Sequence, residues 1–437
     1  VKLTVIGCGY LGAVHAASMA KLGHDVTGID VDAAKVAALN SGSAPFFEPG
    51  LDASLREGLE AGNLRFSTDY AAAEDATVHF VAVGTPQRKG EGAADLTFVN
   101  AAVDALAPHL APGSLVVGKS TVPVGTAEEL ARRVKAVQPE AALAWNPEFL
   151  REGLAIQDTV RPDRLVYGLP GGSDHELAKK LLDTVYRQVL ELGTPLVEAD
   201  YATAELVKVA ANAFLATKIS FINAMSEVAD AVGADVTKLA DAIGYDARIG
   251  RRFLNAGVGF GGGCLPKDIR AFRARSEELG LGDTLAFLRE IDAINLRQRD
   301  RVADLVVDVL GGSAVGRRVC VLGLAFKPNS DDIRDSPALD IAVRLKGLGA
   351  DVVVTDPRAI ENARVRHPQL TYEQSSGKAL KDADAVVLLT EWPEYCEMNP
   401  EVVGEVTRGR IIVDGRNVLD PGRWRAAGWT YAGIGRP

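Results

Sequence analysis

One cysteine in this chain has unusual neighbours. Residues 258–268 read VGFGGGCLPKD, so four of the six residues before Cys264 are glycine, and Pro266, Lys267 and Asp268 follow it. A thiol of this kind can attack a carbonyl carbon and hold the product covalently. The bland alternative is a small hydrophobe whose glycines serve only the backbone. A second pair with chemical potential is Lys208 and Asn212, four apart in a stretch with helical periodicity and therefore on one face. A lysine there can simply extend to solvent. Asparagine is a poor residue for a helix interior and asks for another reason. Together the two offer a cation and an amide donor to one oxygen.

A third pattern opens the chain. KLTVI reads as a short strand, GCGYLG as a turn, AVHAASMAKLG as a helix with a glycine stop, and HDVTGID as a second strand ending in Asp30. Gly7, Gly9 and Gly12 match GxGxxG in the strand–turn–helix setting that this fingerprint needs, with Tyr10 and Leu11 inside it. The first glycine makes the turn, the second admits a pyrophosphate, and the third lets helix and strand pack closely. The helix N-terminus favours the phosphates. A carboxylate at Asp30 accepts hydrogen bonds from a ribose 2′-hydroxyl and repels a 2′-phosphate, which predicts NAD rather than NADP.

These side chains need elements to carry them. ATVHFVAVGTP ends a strand in a loop with Thr85 and Pro86, GSLVVGKSTVPVGT places Ser120 and Thr121 after another, and AALAWNPEFLREG places Glu148 and Glu152 after a third. DRLVYGLP reads as one more strand. Strands alternating with helices predict an open, largely parallel α/β sheet whose ligands lie beyond the carboxyl ends of its strands. From Asp200 the texture changes to one long proline-free helix. A further helical stretch, roughly Lys267 to Leu310, is broken near ELGLGD. From Arg317 the chain returns to strand–loop–helix–strand, with ADAVVLLTEW and GRIIVDGRNVLD as further strands. This half lacks a full GxGxxG and reads either as a site for a different nucleotide-like ligand or as scaffold alone. The fold class is therefore α/β, two Rossmann-like domains joined by a long helical region: residues 1–199, 200–310 and 311–437.

Composition narrows the function. At 437 residues the chain is long enough for two or three domains. Its net charge of −10 argues against a general nucleic-acid binder. No stretch approaches the length that crosses a bilayer and no leader-like segment opens the chain, so a cytoplasmic protein is expected. Cys8, Cys264, Cys320 and Cys396 show no CxxC spacing and no histidine cluster beside them, so neither a metal site nor a disulfide framework is expected.

The motif set GTP, STVPVGT, NPEFLREG, AELVKVAANAFLATKISFINAMSEVAD, GFGGGCLPKD, GLAFKPNSDDIRDSP and DGRN, spread over essentially the whole chain, resembles the UDP-glucose 6-dehydrogenase group of the NAD-dependent UDP-glucose/GDP-mannose dehydrogenase family. The resemblance implies oxidation of UDP-glucose to UDP-glucuronate with two NAD⁺ and one water, without a metal. It also implies three parts: an NAD-binding domain over 1–199, a central helical region over 200–310 that carries the cysteine loop and the homodimer contact, and a UDP-sugar-binding domain over 311–437. Cys264 resembles the family nucleophile, which forms a thiohemiacetal and then a thioester. Lys208 and Asn212 match the residues that stabilise negative charge on the substrate oxygen. Asp268 matches a carboxylate that holds water or Lys208, Glu152 the glutamate of thioester hydrolysis, and Thr121 the residue positioning its water. Glu148 is either structural or part of proton transfer. On the substrate side the matches are Phe149, Leu150, Arg151, Phe253, Leu254, Asn255, Gly261, Phe326, Lys327 and Arg416. Arg248 matches a position reaching the neighbouring subunit's substrate. On the NAD side, Lys35, Lys267 and Arg334 join the residues of the first fold. Asn255 departs from the lysine frequent at its position, which touches substrate recognition. GDP-mannose and UDP-N-acetylhexosamine relatives share the catalytic set. A simple two-electron dehydrogenase would leave the cysteine loop idle, and a silent NAD-binding scaffold would leave the whole set unused.

Overall fold

The computed structural model describes all 437 residues, Val1–Pro437. They form two compact units, Val1–Ala211 with Ala274–Gly280, and Asn212–Arg273 with Leu281–Pro437.

The first unit is built on eight strands: β1 Lys2–Ile6, β2 Asp25–Ile29, β3 Leu64–Ser67, β4 Val78–Val81, β5 Leu115–Gly118, β6 Ala142–Trp145, β7 Leu165–Gly168 and β8 Leu196–Ala199. Their order is β3-β2-β1-β4-β5-β6-β7-β8. All neighbours are parallel except β6 and β7, which meet antiparallel at Trp145 and Gly168. Strands β4 to β7 are buried at every position, as expected of strands covered on both faces. Alternate residues feed opposite cores: Leu115 and Val117 enter one cluster and Val116 the other. Strand order reverses between β1 and β4, so the loops after these strands diverge and leave a crevice at their carboxyl ends.

The stretch from Asp200 onward is indeed one helix, Tyr201–Val232, 32 residues long. It contains neither proline nor glycine and stops at Gly233, whose φ of +71° ends it in the left-handed region. Its residues through Ala211 belong to the first unit and those from Asn212 to the second. The helical stretch after Cys264 is two helices, Leu265–Glu278 and Phe287–Val309.

The second unit carries six parallel strands, β9 Arg318–Leu322, β10 Asp351–Thr355, β11 Thr371–Tyr372, β12 Ala385–Leu388, β13 Ile411–Asp414 and β14 Thr430–Gly433. Their order is β11-β10-β9-β12-β13-β14. Val302 and Val306 of the helix Phe287–Val309, and Ile341 and Leu345 of the helix Pro337–Gly347, pack with these strands in one core. Four strands were not anticipated from the sequence: β3, β8, β11 and β14. All four are sheet edges. An edge strand is half exposed, so it lacks the continuous apolar run that marks an inner one.

No helix is long and apolar enough to cross a membrane.

His79, fully buried in β4, shares a 2.7 Å hydrogen bond between its Nδ1 and Thr4 Oγ1, while its Nε2 has no partner. Burial pushes its pKa from 6.5 down to about 4. The folded value lies below the unfolded one, so the neutral ring stabilises the fold above pH 6.5 and that contribution is lost as pH falls toward 4. The slope is about 1.4 kcal/mol per pH unit for one such group. Thermal melts at pH 7 and pH 5 should therefore show a lower Tm in acid. His79→Gln should narrow the gap between the two pH values, and an unchanged gap would refute the assignment.

Candidate active site

The glycine fingerprint sits where the first strand meets the first helix. Gly7 has φ +86°, and a Cβ on Gly12 would stand 1.7 Å from the Gly7 carbonyl oxygen, so only glycine lets the helix Tyr10–Lys21 begin this close to the turn. A Cβ on Gly9 would meet nothing within 4 Å, so the backbone there is open to a ligand. No side chain caps this helix, which leaves its first N–H groups for an anion. Asp30 is 7% exposed and held from three sides. It accepts from Cys8 N at 2.7 Å and Asp32 N at 3.0 Å, and pairs with Lys35 Nζ at 3.0 Å. This arrangement fits a dinucleotide: an open phosphate approach with a fixed carboxylate one strand away. Thr85 Oγ1 donates to Thr121 O at 2.7 Å and Ser120 Oγ to Val83 O at 2.6 Å, so the loops after β4 and β5 are clasped together beside it. Pro86 is exposed on the first of these loops, and Leu11 packs on the core behind the helix.

After β6 comes the segment with Glu148 and Glu152. Its start rests on a buried lysine that sequence reasoning missed. Lys119, 4% exposed, pairs with Glu148 Oε2 at 2.8 Å and donates to Asn146 Oδ1 at 3.0 Å. Tyr186 donates to the same Asn146 oxygen at 2.7 Å, and burial pushes the tyrosine's pKa well up. Glu148 Oε1 accepts from Phe149 N at 2.8 Å and Leu150 N at 3.0 Å. Both its oxygens are thus engaged in shaping the turn, which favours the structural reading of Glu148 over proton transfer. The Phe149 ring lies under Arg164 at 3.9 Å and Lys208 Nζ at 5.3 Å, so Lys208 has an aromatic face as company. Arg151 is held by a two-pronged ion pair to Asp158. Glu152 is half-buried, and Glu48 binds the backbone just after it, at Gly153 and Ala155.

In the second unit Cys264 is exposed and immediately precedes the helix Leu265–Glu278. Its glycines are demanded mainly by the protein's own atoms. A Cβ on Gly261 would stand 2.3 Å from Asp335 O, on Gly262 2.8 Å from the Phe326 ring, and on Gly263 2.3 Å from the Arg334 guanidinium carbon. The loop thus lies directly on the 326–335 loop. Four residues after Cys264, Asp268 is 2% exposed. It accepts from Asn212 Nδ2 at 2.6 Å and pairs with Lys267 Nζ at 2.6 Å. Asn212 is thereby explained as a buried donor. Lys267, expected on the NAD side, spends its charge on Asp268. Arg416, 14% exposed in its side chain, donates to Leu389 O at 2.7 Å and Phe326 O at 3.0 Å. Lys327 Nζ stands 5.6 Å from the Phe326 ring centre.

Other expected residues lie elsewhere in this unit. Phe253 takes φ +67°, a costly conformation for a bulky residue. Leu254 is buried in a small core with Ile222 and Ala256. Asn255 Oδ1 accepts from Arg251 at 2.8 Å. Arg248 has 89% of its side chain exposed and forks onto Asp246, and Arg334 forks onto Asp332 in the same way. Asn295, which the sequence did not single out, is wholly buried and holds the loop by bonding both N–H and C=O of Phe260.

The second sheet repeats the first one's turn without its opening. Gly323 has φ +101°, and Asp356 follows β10 as Asp30 follows β2. Asp356 is saturated, however: it accepts from Leu324 N, Ala325 N, Arg358 N, Ala359 N and Trp392 Nε1. No acceptor is left there to read a ribose.

Comparison with known proteins matches the chain to three models of one family. Models of the UDP-glucose/GDP-mannose dehydrogenase family match as its NAD-binding domain over residues 1–190, its central domain over 202–297 and its UDP-binding domain over 320–421. The chain is 42% identical over its full length to all of a UDP-glucose 6-dehydrogenase of Rhizobium meliloti. It is 40% identical over its full length to 93% of the Bacillus subtilis UDP-glucose 6-dehydrogenase TuaD. Among solved structures, a UDP-glucose dehydrogenase of Pyrobaculum islandicum is 39% identical, with a TM-score of 0.89 over all of this chain and 98% of that one. A UDP-D-ManNAc dehydrogenase of Pyrococcus horikoshii is 28% identical, with a TM-score of 0.85 over all of this chain and 99% of that one. An open glycine turn with its fixed aspartate, an exposed cysteine beside a buried Asp–Asn–Lys cluster, and full-length likeness to such enzymes lead to one conclusion: the chain belongs to the UDP-glucose/GDP-mannose dehydrogenase family, whose members oxidise nucleotide sugars with NAD as cofactor.

Proposed function

We propose that this protein oxidises the 6-hydroxymethyl group of UDP-glucose to the carboxylate of UDP-glucuronate, through covalent intermediates on Cys264. The observation that carries the reading is the exposed thiol of Cys264 at a helix start, one turn before the buried Asp268 with its Asn212 and Lys267 partners. UDP-glucose is favoured among nucleotide sugars because the UDP-glucose dehydrogenases named above stand near 40% identity and the ManNAc enzyme at 28%.

Held at the Gly7–Gly12 turn and Asp30, NAD⁺ would supply the oxidising chemistry, taking up one hydride equivalent in each of two oxidations. The chain does the rest. Lys208 and Asn212 stabilise negative charge on the substrate oxygen as the alcohol loses its proton. Cys264 then adds to the aldehyde carbon, forming a C–S bond and a thiohemiacetal that cannot diffuse away. Loss of the second hydride leaves a thioester. Glu152 takes a proton from water, the hydroxide adds to the thioester carbon, and the C–S bond breaks to return the thiol and release the carboxylate. Asp268 holds the Asn212 amide in place rather than reacting. The closed water balance is one molecule per sugar.

A homodimer is part of the same proposal. Phe214, Phe221 and Val228 repeat every seven residues along the long helix and are 65%, 45% and 54% exposed. An apolar row of this kind on one helix side is costly in water and suits a second copy of the same helix. The high exposure of Arg248 suits a residue that reaches toward a neighbouring copy. A cytoplasmic location accords with the cofactor and substrate.

Three outcomes are expected. With saturating UDP-glucose, kcat/KM for NADP⁺ should fall on the order of 100-fold below that for NAD⁺, the cost of setting a phosphate against Asp30, and equal values would remove that role. Cys264→Ser should make no UDP-glucuronate at a useful rate, whereas Glu152→Gln should accumulate a substrate adduct visible by intact mass, with kcat down on the order of 100-fold. Near-normal product from C264S would refute the covalent route. Sedimentation should show a dimer for the wild type and a monomer for Phe221→Asp; a monomeric wild type would refute the dimer.

A further inference from the structure

Glu152 lies on a segment with little regular structure, between β6 and the short helix Ala155–Val160. No neighbouring side chain caps that helix. A side chain from far away in sequence holds it instead. Glu48, 6% exposed, accepts from Gly153 N at 2.6 Å and from Ala155 N at 2.8 Å, across 105 and 107 residues of sequence. It also accepts from the Tyr10 hydroxyl.

The geometry of this clamp is specific. Gly153 has φ +82°, a left-handed turn directly after Glu152, and the two anchored amides bracket Leu154. A turn of that kind is easily reoriented unless its N–H groups are tied. Two oxygens of one buried carboxylate tie them both. Charge-assisted bonds to backbone N–H are among the stronger hydrogen bonds of a protein. Tyr10 adds a third donor, is the first residue of the helix that follows the glycine turn, and sets its ring tilted against Phe46, 5.1 Å between centres and two residues before Glu48. The Tyr10 pKa is pushed up chiefly by burial, then by Glu48 and by Glu152, so the carboxylate of Glu152 stands within the field of the same hydroxyl.

We infer that Glu48 is a positioning residue for Glu152: by holding Gly153 and Ala155, and being held by Tyr10, it fixes where the water-activating carboxylate stands relative to the dinucleotide-binding helix. The inference rests on the role given to Glu152 above. Glu48 touches no reacting atom in this scheme. It acts only through the backbone that carries Glu152.

Glu48→Gln keeps size and shape but offers one acceptor oxygen instead of two and turns an NH₂ toward an N–H. Its kcat should fall by about 10- to 100-fold, the cost of a displaced catalytic group, with kcat/KM for UDP-glucose unchanged, because the slowed hydrolysis follows covalent capture. The adduct on Cys264 should build up during turnover, as in E152Q. Hydrogen exchange of the peptide spanning residues 151–157 should quicken by about tenfold through loss of a buried hydrogen bond, with the remaining peptides as in wild type. A merely structural residue would instead loosen many peptides and lower kcat/KM. Glu48→Asp, which withdraws the carboxylate by one methylene, carries the same test should E48Q not fold. Wild-type kcat or wild-type exchange over 151–157 in the folded variant overturns the inference. E152Q separates the two levels: an impaired E152Q beside a normal E48Q overturns the positioning role alone, whereas a normal E152Q overturns the Glu152 role and the positioning with it.

Discussion

A buried carboxylate accepting backbone N–H groups is the interaction on which both halves of this protein depend. Asp30 takes Cys8 N and fixes the glycine turn. Glu205, on the long helix, takes Gly125 N at 2.8 Å and Ala127 N at 2.7 Å and so caps the helix Thr126–Val137. Burial raises the Glu205 pKa and those amides oppose the rise. Glu48 and Glu148 hold the two ends of the Glu152 segment, and Asp356 gathers the loops of the second sheet. Each such bond to a charged acceptor is worth about 1.5–3 kcal/mol, and removing the acceptor leaves buried donors unpaired. Loops at the ends of a parallel sheet cannot satisfy their own amides, so long-range carboxylates do it for them.

That economy explains how the chemistry is distributed. Parallel strands all end on the same side, so every residue leaving a strand reaches the same rim: Asp30 after β2, Thr85 after β4, Ser120 and Thr121 after β5, Glu148 and Glu152 after β6. The second unit places Cys264 differently, on a glycine loop that packs against the residues after β9. There a helix start, not a strand end, presents the exposed thiol. Its neighbour Asp268 is spent on ordering Asn212 and Lys267, which leaves the amide geometry rigid and the thiol exposed.

The two sheets share a turn and a strand-end aspartate, yet differ in what that aspartate has left to give. Asp30 is partly paired by Lys35, a side chain that can move, whereas Asp356 is surrounded by four backbone amides and an indole that cannot. The same turn therefore leaves a carboxylate open to a ligand in the first sheet and spends it on the protein's own backbone and Trp392 in the second.

By itself the sequence determined the elements whose signal is local: the glycine fingerprint with Asp30, the inner strands as unbroken apolar runs, the long helix without proline or glycine, and the cysteine loop with Lys208 and Asn212 on one helix face. These depend on contacts within a few residues, or on burial from both sides, and both leave marks in composition. The edge strands β3, β8, β11 and β14 left no such mark because solvent takes one of their sides. Nor did Glu48, Lys119, Glu205 or Asn295. An acid in FFEPG or a lysine in GKST has an ordinary local setting, and its partner stands 105 residues away for Glu48 and Gly153. Only the tertiary structure decided those pairings, because a buried charge chooses its partner by what the fold brings within 3 Å.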